Sequence, residues 1–114
     1  MPGHDPLVTI LHIRDFAAKA ISMAGEKTRN DLEKDEMFRL ALTHLVELVG
    51  EAASRVPPAI RKKYPQIPWL KIIDMRNRLI HGYDFIDYDI LWNAVTKNLP
   101  ILLAELEKII PPGK

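Results

Sequence analysis

Cysteine is absent from all 114 residues, which excludes disulfides and thiolate metal sites and suits a reducing compartment without requiring one. No apolar run approaches the roughly 18 residues of a membrane span. The opening Met1-Pro2-Gly3-His4-Asp5 lacks the basic and then apolar regions of a signal peptide. A cytoplasmic protein with no membrane partner is therefore expected. Glycine is scarce, at five residues, and none forms a phosphate-cradling loop or a Gly-x-Ser-x-Gly nucleophile turn. No His-x-x-x-His or His-Glu-x-x-His helix offers metal ligands, so neither a metal nor a cofactor is expected. Period-two alternation is missing too, which argues against strands.

What is present fits an ordinary globular chain: 47% apolar and 27% charged residues, long enough for one core and one domain over residues 1–114. The pattern predicts four long helices and a short one. Asp5-Pro6 is an N-cap followed by proline at the first helical position. Leu7, Ile10, Leu11, Ala17, Ala18 and Ile21 then mark one face until Gly25, and a polar stretch covers Glu26 to Asn30. A second helix is predicted from Asp31 or Asp35 to Val56, with Met37, Leu40, Ala41, Leu45, Leu48 and Ala52 inward. His44 and Glu51 share that arc, and Glu47 lies at its edge. Pro57-Pro58 ends this helix. A short turn over Ala59 to Lys63 follows, then a helix opened by Pro68 and closed by Gly82 at its C′ position. Asp87 caps a last helix to about Ile110, interrupted or bent at Pro100. Short connections favour an all-α, antiparallel, four- to five-helix up-and-down bundle.

The net charge of +1 hides an uneven distribution. Arg55, Arg61, Lys62, Lys63, Lys71, Arg76 and Arg78 fall within one segment whose single acid is Asp74. Acids gather on either side, at Asp31, Glu33, Asp35 and Glu36 before it and at Asp84, Asp87 and Asp89 after. Such a segment is either an electrostatic footprint for phosphates or a solvated helical face. Lys62, Lys63, Lys71 and Arg78 are the candidate phosphate contacts on the first reading.

The basic segment leads into Arg76-Asn77-Arg78-Leu79-Ile80-His81-Gly82-Tyr83. Trp69, Ile72, Ile73, Arg76, Leu79 and Ile80 follow helical spacing, so Arg76 sits within an apolar stripe while Arg78 points the other way. A guanidinium keeps its proton, so one placed there needs an anionic partner or a charged ligand. Glu51 or Glu47 is a candidate partner, which would make Arg76 part of a structural ion pair. A pair that also faces a pocket would instead hold the guanidinium for a phosphate.

Arg-x-x-x-x-His, with polar Asn77 directly after the arginine, is similar to the signature of the HEPN superfamily of helical ribonucleases. The extension to His-x-Tyr, with Ile67-Pro68-Trp69 and Gly50-Glu51-Ala52 upstream, resembles the HepT-like branch. The likeness runs from about Asp35 to Pro100. It implies an endoribonuclease toxin in a homodimer, of the type VII-like HEPN/MNT toxin–antitoxin kind, paired with an MNT-type nucleotidyltransferase antitoxin. By the same resemblance, Tyr83 matches the tyrosine that such a partner modifies with AMP. From sequence alone Tyr83 reads equally as an aromatic lid or packing residue.

The residue types suit metal-independent RNA cleavage through attack of a 2′-hydroxyl on the adjacent phosphate. His81 is expected to move protons near neutral pH, and Arg76 to offset charge on the phosphorane. Asn77 is expected to support them. Five residues of regular helix turn through about 500°, so Arg76 and His81 would diverge by about 140°. Either the helix loosens at His81, or two chains pool their motifs across a twofold axis. Two alternatives stand beside this reading: a non-catalytic helical binding partner of a nucleotidyltransferase, and a structural oligomeriser with Arg76 locked in an ion pair.

Overall fold

A computed structural model describes residues 5–80 and 86–114, and of Ile80 only the backbone. Among the described residues every regular element is helical. Helix α1 spans Pro6–Ala24, and the Asp5 carboxylate accepts the Leu7 N–H at 2.9 Å ahead of Pro6. This supplies one of the bonds that a helix start leaves open. The polar stretch after α1 contains a short helix the pattern did not predict, α2 (Arg29–Lys34). Its start is a capping box, in which Asp31 accepts from both the Thr28 N–H and the Thr28 hydroxyl.

Asp35 then closes α2 and caps α3 (Glu36–Ser54), accepting the Phe38 N–H at 3.1 Å. The later of the two predicted starts is thus the observed one. Helix α4 spans Pro58–Lys63 and α5 spans Trp69–Ile80. Asp87 caps α6 (Tyr88–Asn93) by accepting from the Asp89 and Ile90 N–H groups. A π-helical turn over Ala94–Asn98 joins α6 to α7 (Leu99–Ile109). Pro100 lies in the first turn of α7, where its missing N–H leaves no α-type bond back to Thr96. The expected interruption therefore takes the form of a widened turn ahead of the proline.

Helix α3 is the centre of the bundle. It packs between α1 and α5, while α7 packs on α1 and α2 bridges α3 to α6. Fully buried residues come from each: Ile13 and Ala17 of α1, Leu42 and Val46 of α3, Ile72 and Leu79 of α5, Leu102 and Leu106 of α7. Arg29 pairs with Asp89 and so ties α2 to α6 across the chain. Because α5 leans on α3 along one side only, its opposite face, with Leu70, Lys71, Asp74 and Arg78, is open to solvent.

The orientation of α3 corrects the sequence reading. Met37 is 82% exposed and Leu40 60% exposed, and His44 is exposed beside them. The core face is instead built by Phe38, Leu42, Leu45, Val46, Val49, Ala52 and Ala53. Leucines, valines and alanines occur on both sides of this helix, so periodicity alone allowed either face to turn inward. Neighbouring helices on two sides settled the choice. In α1, Ala18 is likewise exposed, and Ile13, Ala20 and Ala24 join Ile10 and Ala17 inside.

Candidate active site

Helix α5 brings Arg76 against α3 at Gly50. An added Cβ at Gly50 would lie 2.2 Å from Arg76 Cβ, 2.7 Å from Cγ and 3.1 Å from Cδ. The two backbones therefore approach closely enough that no side chain fits between them, and the aliphatic part of Arg76 lies over bare α3 backbone. Sequence reasoning placed Arg76 correctly within the stripe but missed what Gly50 does. A lone glycine inside an otherwise uninterrupted helical pattern was the available signal.

Arg76 is half-buried, and its Nε is enclosed with no hydrogen-bond acceptor among the described residues. Its guanidinium reaches Asn77 Oδ1 at 3.5 Å, the outer limit of a hydrogen bond. The carboxylates proposed as counter-ions do not pair with it. Glu51 binds Arg55 at 2.5 Å, one turn away on its own helix, and Glu47 forms no ion pair among the described residues. Enclosed polar atoms are nearly always satisfied, so the shut-in Nε is an uncompensated donor, and only the terminal N–H groups of this permanent cation are left for an anionic ligand.

Helix α5 is regular through Ile80, so the helical rotation reckoned from Arg76 applies that far. His81, Gly82 and Tyr83 lie outside the described residues. The relation of the imidazole and phenol to Arg76 therefore rests on the sequence.

The basic candidates divide into two groups. Lys62 and Lys71 meet, with Arg61, at a groove of about 510 Å³ between α4 and the start of α5. Lys63 is drawn aside, its Nζ 5.6 Å from the centre of the Tyr64 ring. Arg78 is exposed on the outer face of α5, away from Arg76. Among the described residues no cluster of three His, Asp or Glu side chains has a metal-binding arrangement. No helix there is long and apolar enough to cross a membrane.

The family model described as "Ribonuclease HepT-like" matches residues 13–109. A protein of Methanocaldococcus jannaschii named as a candidate RNase is 32% identical over 110 residues, covering 96% of this chain and 91% of its own. One of Thermococcus cleftensis, named as a candidate ribonuclease HepT, is 33% identical over 96 residues, covering 81% and 87%. A candidate RNase of Caldanaerobacter subterraneus is 33% identical over 84 residues, covering 74% and 75%. No solved structure matches the chain significantly. With a family model spanning most of its length and relatives aligned over about three quarters or more of both chains, the chain belongs to the HepT-like ribonuclease family.

Proposed function

We propose that this member of a ribonuclease family is a metal-independent endoribonuclease that acts as a homodimer, with Arg76 and His81 catalytic and Asn77 supporting. The observation that carries the reading is Arg76 itself: a cation held over Gly50, with an enclosed Nε–H and no carboxylate partner among the described residues. A structural ion pair would have spent that donor on Glu51 or Glu47. A phosphate oxygen of RNA pairs in this reading with the terminal N–H groups of the guanidinium, a charge-assisted bond that a planar fork suits.

In the proposed reaction the 2′-oxygen of a ribose attacks the neighbouring phosphorus and the bond from phosphorus to the 5′-oxygen breaks. The products are a 2′,3′-cyclic phosphate and a 5′-hydroxyl. One imidazole accepts the proton of the 2′-hydroxyl and a second delivers a proton to the departing 5′-oxygen. Arg76 offsets the charge that builds on the phosphorane. Two His81 side chains are available at one cleft only when two chains meet, and the rotation along α5 gives a second reason for a twofold arrangement. The uncovered apolar residues Met37 and Leu40 support such pairing. Leu40, His44 and Glu47 follow helical spacing along α3 toward Gly50, so this strip leads to the Arg76 crossing.

Regulation completes the proposal. An MNT-type nucleotidyltransferase antitoxin transfers AMP from ATP to the Tyr83 hydroxyl, releasing pyrophosphate, and the added phosphate competes with RNA for Arg76 and repels it. The chain is in this reading the toxin of a two-component toxin–antitoxin system. The test is to incubate the purified dimer with RNA in chelator and analyse fragment ends. Cyclic phosphate termini that vanish in Arg76→Ala and His81→Ala, with helicity and dimer mass retained, are expected. Equal cleavage by parent and both variants would overturn it.

A further inference from the structure

The groove between α4 and α5 takes no part in the chemistry described above, yet its composition is specific. Its apolar lining is Leu70 and three prolines, Pro58, Pro65 and Pro68, over the buried Ile67 and Trp69, and its charged members are Arg61, Lys62 and Lys71. Among the described residues no carboxylate lines it. Asp74, the single acid of this segment, is on the exposed side of α5 but outside the groove.

The walls are fixed in place. Proline rings have no rotatable side chain to order. The Trp69 ring is held by its Nε1–H, which donates to the Tyr64 carbonyl at 3.1 Å. Arg61 is anchored in the same way, its Nε–H donating to the Val56 carbonyl at 3.1 Å. That bond fixes the guanidinium plane at the groove while its terminal N–H groups stay available. Leu70, at 73% exposed, is a large apolar side chain turned to solvent. An open, shallow apolar face flanked by three cations suits a flat, uncharged group attached to an anionic backbone.

We propose that this groove is a nucleobase subsite, seating one unpaired base of a single RNA strand while Lys62 and Lys71 hold the flanking phosphates. The proposal rests on the RNA-cleaving reading and extends it by naming the form of substrate. Leu70 and Asn77 are seven residues apart on α5, about 10 Å along the axis, a short step for an extended strand. Arg61 and the prolines offer faces on which a base stacks, and such stacking tolerates any base. A duplex keeps its bases paired and cannot insert one, so the subsite selects single strands.

The test is fluorescence anisotropy with a short single-stranded RNA carrying 2′-fluoro substituents, which cannot be cut by 2′-hydroxyl attack. Its matched abasic strand and its duplex serve as controls. The parent dimer is expected to bind the intact strand about tenfold more tightly than the abasic one or the duplex. Leu70→Glu, a change at an exposed position, is expected to abolish that preference, whereas Arg76→Ala retains it. Equal affinity for intact and abasic strands, or an unaffected Leu70→Glu variant, overturns the subsite. So does a Leu70→Glu variant that binds RNA normally but loses affinity for a poly-glutamate peptide, which assigns the groove to an acidic protein segment. A parent that shows the base preference yet leaves natural RNA intact refutes the catalytic proposal alone. A parent that binds no RNA refutes both.

Discussion

Gly50 of α3 lies directly beneath the side chain of Arg76 on α5, with a would-be Cβ only 2.2 Å from Arg76 Cβ. The contact is with the first atom of the arginine side chain, so rotating the guanidinium away does not relieve it. The spacing of the two helices, and with it the position of the cation, depends on Gly50 having no side chain.

Gly50→Ala is therefore expected to force α5 away from α3 and to destabilise the fold by about 1–3 kcal/mol, the usual cost of overpacking. The helix propensity that alanine gains offsets only part of this. A thermal melt should show a fall of several degrees, and RNA cleavage should fall further than stability explains because Arg76 is displaced. An unchanged melting temperature would mean that the two helices do not cross this closely.

Arg76→Met separates catalysis from stability. Because the enclosed Nε–H has no acceptor among the described residues, removing it discards a desolvated donor and not a formed bond. Urea unfolding should change by less than about 1 kcal/mol, whereas cleavage should drop by about 10²–10³-fold, as for other lost stabilisers of a charged transition state. A loss of about 3–5 kcal/mol would point to a broken buried ion pair instead.

Glu51→Gln tests the corrected partner assignment. Glu51 and Arg55 form their ion pair at the surface, with side chains 42% and 69% exposed, where such pairs are worth about 0.3–0.5 kcal/mol. Chemical denaturation of the variant should match the parent within that range, and its cleavage rate should be the same. A large loss in either would place Glu51 with Arg76 after all.

Leu40→Glu bears on assembly. A carboxylate on the uncovered strip of α3 is expected to convert the proposed dimer to a monomer by light scattering without lowering helicity. RNA cleavage should fall in parallel, because each chain then lacks its partner's motif. A variant that stays dimeric and active would place the interface elsewhere.

Asp31 gives a pH-dependent signature. Bonds from the Thr28 N–H hold its carboxyl below its ordinary 3.8 in the folded chain. Its folded pKa is lowered, so its stabilisation is present above 3.8 and fades as the pH falls through the depressed value. Asp31→Asn should be less stable than the parent near pH 7, and the gap should narrow in acid. A gap that is constant with pH would refute the charge-assisted cap.

The sequence made helix boundaries legible where they depend on neighbours in the chain. Asp5 before Pro6, Asp35 before α3, Pro57-Pro58 after it and Asp87 before α6 each act within a few residues. The box formed by Thr28 and Asp31 is equally local, but its helix is six residues long, too short for apolar periodicity to register. At the candidate site the same division holds. The apolar stripe placed Arg76 inward, but that neither Glu47 nor Glu51 pairs with it depends on how α3 is turned against α5.

By itself, then, the chain's order of residues determined the all-helical architecture, the caps that start its helices and the arginine set among apolar neighbours. All of these follow from bonds and spacings within a turn or two of helix. The tertiary structure alone decided that Met37 and Leu40 face outward, that Glu51 turns to Arg55, and that Gly50 receives Arg76. Those outcomes depend on how helices far apart in sequence lie against one another. An apolar helix with two comparable faces can state no preference until its neighbours cover one of them.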